Sequence, residues 1–178
     1  NFQQSIIDLT GMDIANASLL DEATATAEAV GLSQRLDKTD SKKIFISSNC
    51  NPQTIDLIKT RTNPFGLELI IGNEKTELTK IDEDIICGVL SYPGTLGEIN
   101  DPSESISQIH KKNGKAILVC DLLALARLKT PAELGADIAV GSAQRFGIPM
   151  GYGGPHAAFF ATKEEFKRSM PGRIIGVS

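Results

Sequence analysis

Cysteine is scarce in this sequence and is not arranged to bind a metal ion or to build a disulfide framework. The 178 residues contain three cysteines, Cys50, Cys87 and Cys120, with no Cys-x-x-Cys pair. This odd, widely spaced set lacks the pattern of a zinc site and fits a reducing compartment. Cys87 and Cys120 lie in apolar runs and are expected to pack as small buried hydrophobes. Cys50 lies in a polar turn and is the one candidate for a reactive thiol.

Long apolar runs and an excess of basic residues are also missing. No apolar stretch reaches the length of a membrane span, and the first residues show no signal-peptide pattern. The formal net charge is −4 and the sequence pI is about 5.2. No coherent basic face is formed by Lys42, Lys43, Lys111 and Lys112. These absences predict that the main partner is neither nucleic acid nor a membrane.

The composition suits a globular domain with a substantial core. Hydrophobic residues make up 41% and charged residues 22% of the chain. Its length predicts a single domain over residues 1–178. Because the sequence begins at Asn1 without a methionine and stops just after a helix-like stretch, we expect a fragment of a larger chain.

Short apolar runs alternate with amphipathic segments along the chain. Strands are expected at 44–46, 67–71, 85–90, 116–120, 137–141 and 157–161, after a strand or extended lead-in at 5–9. A long helix capped by Asn16 or Ser18 is expected to continue past Gly31 to Leu36. Further helices are expected from Pro52, from Asp101 or Ser103, as a turn at 131–135 and over 163–170. This alternation predicts a three-layer α/β fold with a mostly parallel sheet.

Polar side chains follow three of the predicted strands. They are Tyr92, Asp121 and the group Ser142, Gln144 and Arg145. Parallel sheets bind ligands at the carboxyl ends of their strands, so we expect these groups at one edge. The last group opens a glycine- and proline-rich loop that carries Tyr152 and His156 and ends in another apolar run. Such a loop suits a binding site, and it equally suits a long hairpin connection that covers a sheet end.

A carboxylate at a strand end next to a second polar strand end suits a pyridine cofactor. In pyridoxal-phosphate enzymes a carboxylate pairs with the ring nitrogen and a lysine forms the Schiff base. Asp121 has the required position for the carboxylate. It can equally be a paired structural carboxylate that caps the helix after it.

Several segments together resemble one family. They are residues 11–22, 50–54, 121–125, 141–160 and 170–173, and the similarity runs through essentially the whole chain. The chain resembles the amino-terminal half of the glycine cleavage system P-protein family, the pyridoxal-phosphate-dependent glycine decarboxylases. This resemblance implies the large domain of a type I aminotransferase-like fold, cut from a longer polypeptide or from the smaller chain of a two-chain form.

The sequence departs from the catalytic half of that family at two places. In that half a cofactor lysine precedes Thr-Phe and a glycine-rich loop, and matching Phe146 to that phenylalanine places Gln144 at the lysine position. The amide of Gln144 cannot form a Schiff base. Where the catalytic half resembles Asn-Ser-Gly-Ala-Gln-Gly-Glu, this chain has residues 16–22 with Leu19 and Leu20, which would crowd a phosphate. Asp121 is kept, so the resemblance implies the relic of a cofactor site and no catalytic residue.

The resemblance also implies what the full enzyme does and meets. It implies decarboxylation of glycine with pyridoxal phosphate and transfer of the aminomethyl group to the lipoyl arm of the H-protein. The fragment itself is expected to bind no cofactor and to scaffold and shape the active site of the catalytic half, within an oligomer. The compartment would be the cytoplasm in a bacterium and the mitochondrial matrix in a eukaryote. The alternatives are a self-sufficient pyridoxal-phosphate enzyme and a stand-alone anion- or nucleotide-binding domain.

Individual side chains allow more than one role. Gln144, Arg145, Tyr152 and His156 are the candidates for contact with the catalytic half. Arg145 can instead form a surface salt bridge, and His156 fits a hydrogen-bonded structural histidine better than an acid or base. Tyr92 can stack over a ring or pack in the core. His110, Lys163 and Lys167 are expected to lie on solvated helix faces.

Overall fold

The computed structural model of the chain describes residues 1–176, which form a seven-stranded sheet with helices on both faces. The helices are α1 (Phe2–Thr10), α2 (Glu22–Leu36), α3 (Pro52–Thr62), α4 (Ser103–Lys111) and α5 (Leu122–Leu125). The strands are β1 (Ile14–Ala15), β2 (Lys43–Ser47), β3 (Glu68–Gly72), β4 (Cys87–Tyr92), β5 (Lys115–Cys120), β6 (Ile138–Ser142) and β7 (Ala158–Thr162). Short 3₁₀ segments cover Asn63–Phe65, Leu78–Lys80, Gln144–Phe146, Gly151–Gly153 and Glu164–Ser169.

The sheet has the order β1-β7-β6-β5-β4-β2-β3. The five strands from β6 to β3 run parallel, and β7 lies antiparallel between β6 and β1. The predicted three-layer, mostly parallel α/β fold is therefore confirmed. The glycine-rich loop, residues 143–157, joins the antiparallel strands β6 and β7 as a long hairpin connection, which is one of its two predicted roles.

The central strands are mostly apolar because both of their faces are covered. In β2, Phe45 packs with side chains of α1 and α4, whereas Ile44 and Ile46 pack with those of α2 and α3. The same alternation continues through β4, β5 and β6. The two clusters form the core on the two sides of the sheet.

The helix α2 continues past Gly31 to Leu36 as predicted, but its cap was predicted wrongly. The carboxylate of Asp21, and neither Asn16 nor Ser18, accepts the Thr24 amide at 2.7 Å. Asn16 is fully buried, and its backbone amide donates to the carbonyl of Phe160 in β7. The segment before α2 therefore follows the sheet instead of starting the helix.

The first ten residues were predicted as extended and are helical. Ile6 and Thr10, four residues apart, are the buried positions of α1, and the helix ends at Gly11 with φ 69°. Glycine adopts this left-handed conformation without strain. The short apolar run of residues 5–9 did not distinguish a strand from a helix.

Two further helical predictions were only partly right. Residues 163–170 form the 3₁₀ segment Glu164–Ser169, and α4 has Pro102 at its N-cap position. Asp101 still accepts the Ser103 amide at 2.9 Å, which satisfies one of the free donors at the helix start. Residues 131–135, predicted as one helical turn, form a hydrogen-bonded turn and no helix.

Candidate functional site

The three polar strand ends meet at one edge of the sheet. β4, β5 and β6 are adjacent and parallel, so Asp121 after β5 lies beside the turn that follows β6. An open cleft of about 570 Å³ lies at this edge. Its lining residues are Glu22, Cys120, Asp121, Leu123, Ser142, Gln144, Arg145, Ile148 and Met150.

Asp121 is engaged by groups of its own chain. Its Oδ1 accepts the Leu123 amide at 2.8 Å and so caps α5. Arg145 Nε donates to Oδ1 at 3.2 Å and to Oδ2 at 3.0 Å, and Arg145 Nη2 donates to Oδ2 at 2.7 Å. Burial acts to raise the pKa of Asp121, but the bonds from Arg145 and the Leu123 amide outweigh it and lower the pKa. Asp121 is thus the paired, helix-capping carboxylate of the structural interpretation.

Gln144 lines the cleft where a Schiff-base lysine would be expected. It begins the 3₁₀ segment Gln144–Phe146, and its backbone amide donates to Ser142 Oγ at 3.2 Å. Within residues 1–176 the buried Nε2 of Gln144 has no hydrogen-bond partner. Among the described residues that line the cleft there is no lysine.

Glu22 is a site residue that the sequence analysis did not identify. It is the first residue of α2, faces the same cleft, and its Oε1 accepts Asn51 Nδ2 at 2.9 Å. Burial raises the pKa of Glu22, and the nearby negative charge of Asp121 acts in the same direction. The sequence had shown Glu22 only as an acidic residue in a first helical turn, a common feature that complements the helix dipole.

The start of α2 is not arranged to hold a phosphate. The Leu19 amide donates to the Ala158 carbonyl at 2.9 Å, and the Ala158 amide donates back to Leu19 at 2.9 Å. The Ala17 amide donates to the Arg173 carbonyl at 2.7 Å. These donors of the segment before α2 are already used, and the Thr24 amide in the first turn of α2 is bonded to Asp21. The carboxylates of Asp21 and Glu22 at the helix start also repel an anion.

Pyridoxal phosphate therefore does not fit the residues present. The cofactor needs a lysine, a carboxylate for its ring nitrogen and free N–H donors for its phosphate. Among the described residues no lysine lines the cleft, Asp121 is bound by Arg145, and the Leu19 amide is bonded to β7.

Tyr152 and His156 do not reach the cleft. Both are exposed on the glycine-rich loop, and Tyr152 has the left-handed φ of 52°. Within the described residues the His156 imidazole has no hydrogen-bond partner, so the prediction of a hydrogen-bonded histidine finds no support. Tyr92 is buried in the core on the α1 and α4 side, so of its expected roles the structure supports core packing and not stacking over a ring.

The structure does not support Cys50, the one candidate for a reactive thiol. Its side chain is 1% exposed, and burial raises the pKa of the thiol to about 12. The thiolate form that reacts is therefore scarce at neutral pH. Cys87 and Cys120 are buried, as predicted.

His110 and Lys163 were predicted to face solvent and instead bind a buried carboxylate. His110 Nε2 lies 2.8 Å from Asp137 Oδ2, and Lys163 Nζ lies 2.5 Å from Asp137 Oδ1. The Ala116 amide also donates to Asp137 Oδ2 at 2.8 Å. This cluster lies at the amino ends of β5 and β6, away from the cleft.

Over the part of the chain that the structure describes, no three side chains of the metal-binding types are grouped as ligands. In the same residues no helix has the length and apolar character needed to cross a membrane.

The comparisons with known proteins agree with each other. The family model described as glycine cleavage system P-protein matches residues 1–178. A glycine dehydrogenase (decarboxylating) of Pelagibacter ubique is 76% identical over 178 residues, which are the whole chain and 18% of that protein. A protein of the same name from Stutzerimonas stutzeri is 54% identical over the same share. The chain thus spans about a fifth of the length of these relatives.

Solved structures show the same fold. An inhibitor-bound glycine decarboxylase (P-protein) superimposes with a TM-score of 0.90 at 35% identity, covering 99% of this chain and 41% of that one. A cystathionine gamma synthase from Xanthomonas oryzae pv. oryzae superimposes with a TM-score of 0.73 at 15% identity over 94% of this chain, which shows the fold alone. The sheet is that of the large domain of fold type I pyridoxal-phosphate enzymes. From the family model and these relatives together, the chain belongs to the glycine cleavage system P-protein family.

Proposed function

We propose that residues 1–178 are the large domain of the non-catalytic half of a glycine decarboxylase. The observation that carries this proposal is the strand-end cleft, in which Arg145 binds Asp121 and no lysine is among the described lining residues. A site that lacks a Schiff-base lysine and whose strand-end carboxylate is bound by an arginine lacks two groups that the chemistry of its fold relatives uses. The single domain would then be one part of a longer polypeptide.

The whole enzyme would release carbon dioxide from glycine and pass the aminomethyl group to the lipoyl arm of the H-protein. The names of the relatives support the first step, since they are glycine dehydrogenases (decarboxylating). Pyridoxal phosphate, bound by the other half, would supply the electron sink for decarboxylation. The named relatives are bacterial, which favours the cytoplasm over a mitochondrial matrix.

The role of this half would be to scaffold and shape the active site of its partner. Large apolar side chains stay exposed on the segments that follow β4, β5 and β6 and before α2: Leu20, Leu96, Ile99, Leu123, Met150 and Tyr152. Exposed apolar side chains concentrated on one side of a domain are typical of an interaction surface. Gln144, Arg145, Tyr152 and His156 lie on the same side and are proposed to contact the catalytic half, within an oligomer.

The alternatives have less support. A self-sufficient cofactor enzyme needs a lysine in the cleft, and none lines it among the described residues. A stand-alone anion or nucleotide site would use the start of α2, where Asp21 caps the helix and Glu22 adds a second carboxylate.

The test is borohydride trapping of pyridoxal phosphate on the full-length polypeptide, followed by peptide mapping and an assay of glycine decarboxylation. We expect one labelled lysine, located outside residues 1–178, in a preparation that decarboxylates glycine. A stoichiometric label on a lysine within residues 1–178 would overturn the proposal.

A further inference from the structure

Asp121 and Arg145 form the only ion pair among the described residues that line the candidate cleft. The two side chains are separated by 24 positions and make two-pronged contact, with Nε and Nη2 of Arg145 both bonded to the carboxylate. The exposed fractions are 55% for Arg145 and 29% for Asp121. The carboxylate is thus partly withdrawn from water, where a counter-cation matters more than at a free surface.

Arg145 is also the attachment point of the glycine-rich loop. Within residues 1–176, every side-chain hydrogen bond from residues 145–156 to the rest of the chain is made by Arg145. The backbone bonds of this segment stay within the loop, such as those of the Phe146 and Gly147 amides to residues 143 and 144. One apolar contact is added by Phe146, whose ring meets that of Phe2 edge-on at a centroid distance of 6.0 Å.

Arg145 contacts the strand-end carboxylate that the ring nitrogen of a bound cofactor would contact. A strand-end carboxylate of a pyridoxal-phosphate enzyme is neutralised by the ring nitrogen of the cofactor. Here the neutralising cation is a guanidinium from the turn after β6. A guanidinium is planar and donates two parallel bonds to a carboxylate, as a lysine ammonium cannot.

We propose that Arg145 is a built-in replacement for the cofactor: its guanidinium neutralises Asp121 from within the chain and thereby fastens the glycine-rich loop over the cleft. Arg145 is then a positioning residue, and Asp121 is kept as the anchor of a loop. This inference rests on the proposed function, because it assumes that the cofactor is bound elsewhere in the enzyme.

The experiment measures hydrogen exchange of the amides of Phe146, Gly147 and Ile148, which are hydrogen-bonded inside the turn. It uses the full-length polypeptide with its cofactor, carrying Asp121→Asn, Arg145→Gln or Arg145→Lys. For Asp121→Asn and Arg145→Gln we expect exchange about fivefold faster than in the unaltered protein. Arg145→Lys keeps the charge and loses the fork, so we expect about half of that effect on a logarithmic scale.

The chain offers a matched control pair. Arg61 contacts Glu28 with exposed fractions of 53% and 27%, close to those of the Asp121 pair, and joins two helices far from the loop. Arg61→Gln should leave exchange of residues 146–148 unchanged. The amount of pyridoxal phosphate per polypeptide is measured in the same samples. Substituting Asp121 or Arg145 should leave this amount unchanged if the pair is a structural salt bridge or a loop anchor, and should lower it if Asp121 binds the cofactor.

Each result decides the inference. Faster exchange in the Asp121 and Arg145 variants, partial rescue by lysine and unchanged cofactor content support it. Loss of cofactor from Asp121→Asn overturns it, because Asp121 would then hold the cofactor. Amide exchange of residues 146–148 that is as slow in the Asp121 and Arg145 variants as in the Arg61→Gln control also overturns the inference. A cofactor trapped on a lysine of residues 1–178 would refute the proposed function itself, so the two failures are distinguishable.

Discussion

The Asp137 cluster gives a prediction about stability that is independent of the cleft. The Asp137 side chain is 5% exposed, and its carboxylate accepts three bonds, from His110, Lys163 and the Ala116 amide. Burial acts to raise the pKa of Asp137, but these bonds outweigh it and lower the pKa from 3.8 to about 2. A difference of nearly two units corresponds to about 2 kcal/mol of stability.

The sign of the pH dependence follows from the lowered pKa. The unfolded chain takes up a proton at the ordinary value, whereas the folded chain resists protonation until the pH reaches about 2. The contribution of Asp137 is therefore complete above pH 3.8 and is lost as the pH falls from there to about 2. Asp137→Asn should lower the free energy of local opening at neutral pH by about 2–3 kcal/mol, because it leaves Lys163 and His110 without their anion.

The assay is native-state hydrogen exchange of the β5 and β6 amides in the full-length polypeptide. Local exchange is suited to a multidomain protein, whose global unfolding need not be two-state. The matched control is Lys167→Met, which removes the exposed partner of Glu164 and should change nothing measurable. Equal exchange in Asp137→Asn and the control would refute the reasoning about the cluster.

Three further predictions concern single positions. Asp21→Ala removes the cap of α2 and should lower the local stability of the helix start by about 1 kcal/mol. Hydrogen exchange of the first-turn amides measures this loss, and unchanged exchange would mean that water replaces Asp21 as the partner of the Thr24 amide. Gly141→Ala should lower stability by about 3 kcal/mol or prevent folding, because the added Cβ would collide with the Cys120 carbonyl. Soluble yield and thermal unfolding measure this effect, and a stable variant would contradict the close approach of β5 and β6. Cys50 should resist alkylation at pH 8 in the folded protein and react after denaturation, since its thiol is buried with a pKa of about 12; rapid native labelling would contradict this.

The sheet was largely predictable because its strands are covered on both faces. Runs such as Ile44–Ile46 and residues 116–120 are apolar throughout, and such runs between helical segments indicate parallel strands. The meeting of Asp121 with the turn at Gln144 followed, because adjacent parallel strands end at the same edge. The helix α1 was missed because five apolar-rich residues are too few to show a period.

The pairings between side chains were not predictable from the sequence. Arg145 reaches Asp121 across 24 positions, and His110 reaches Asp137 across 27. Whether such groups meet depends on strand register and on the angle at which a helix crosses the sheet, which local patterns do not contain. Glu22 was overlooked for the same reason, since its burial comes from packing of α2 beside the cleft. The resemblance to the P-protein family, which the comparisons confirm, led to the prediction that Gln144 replaces a lysine, but it did not indicate that Arg145 binds Asp121.

We propose that residues 1–178 hold no cofactor of their own within the full-length polypeptide. The most direct measurement is the amount of pyridoxal phosphate released by alkali from the purified full-length polypeptide, divided by the amount of polypeptide. We expect one cofactor per full-length chain, bound outside residues 1–178. Two per chain would contradict this inference, because the second cofactor would then be expected in the cleft that Arg145 and Gln144 line.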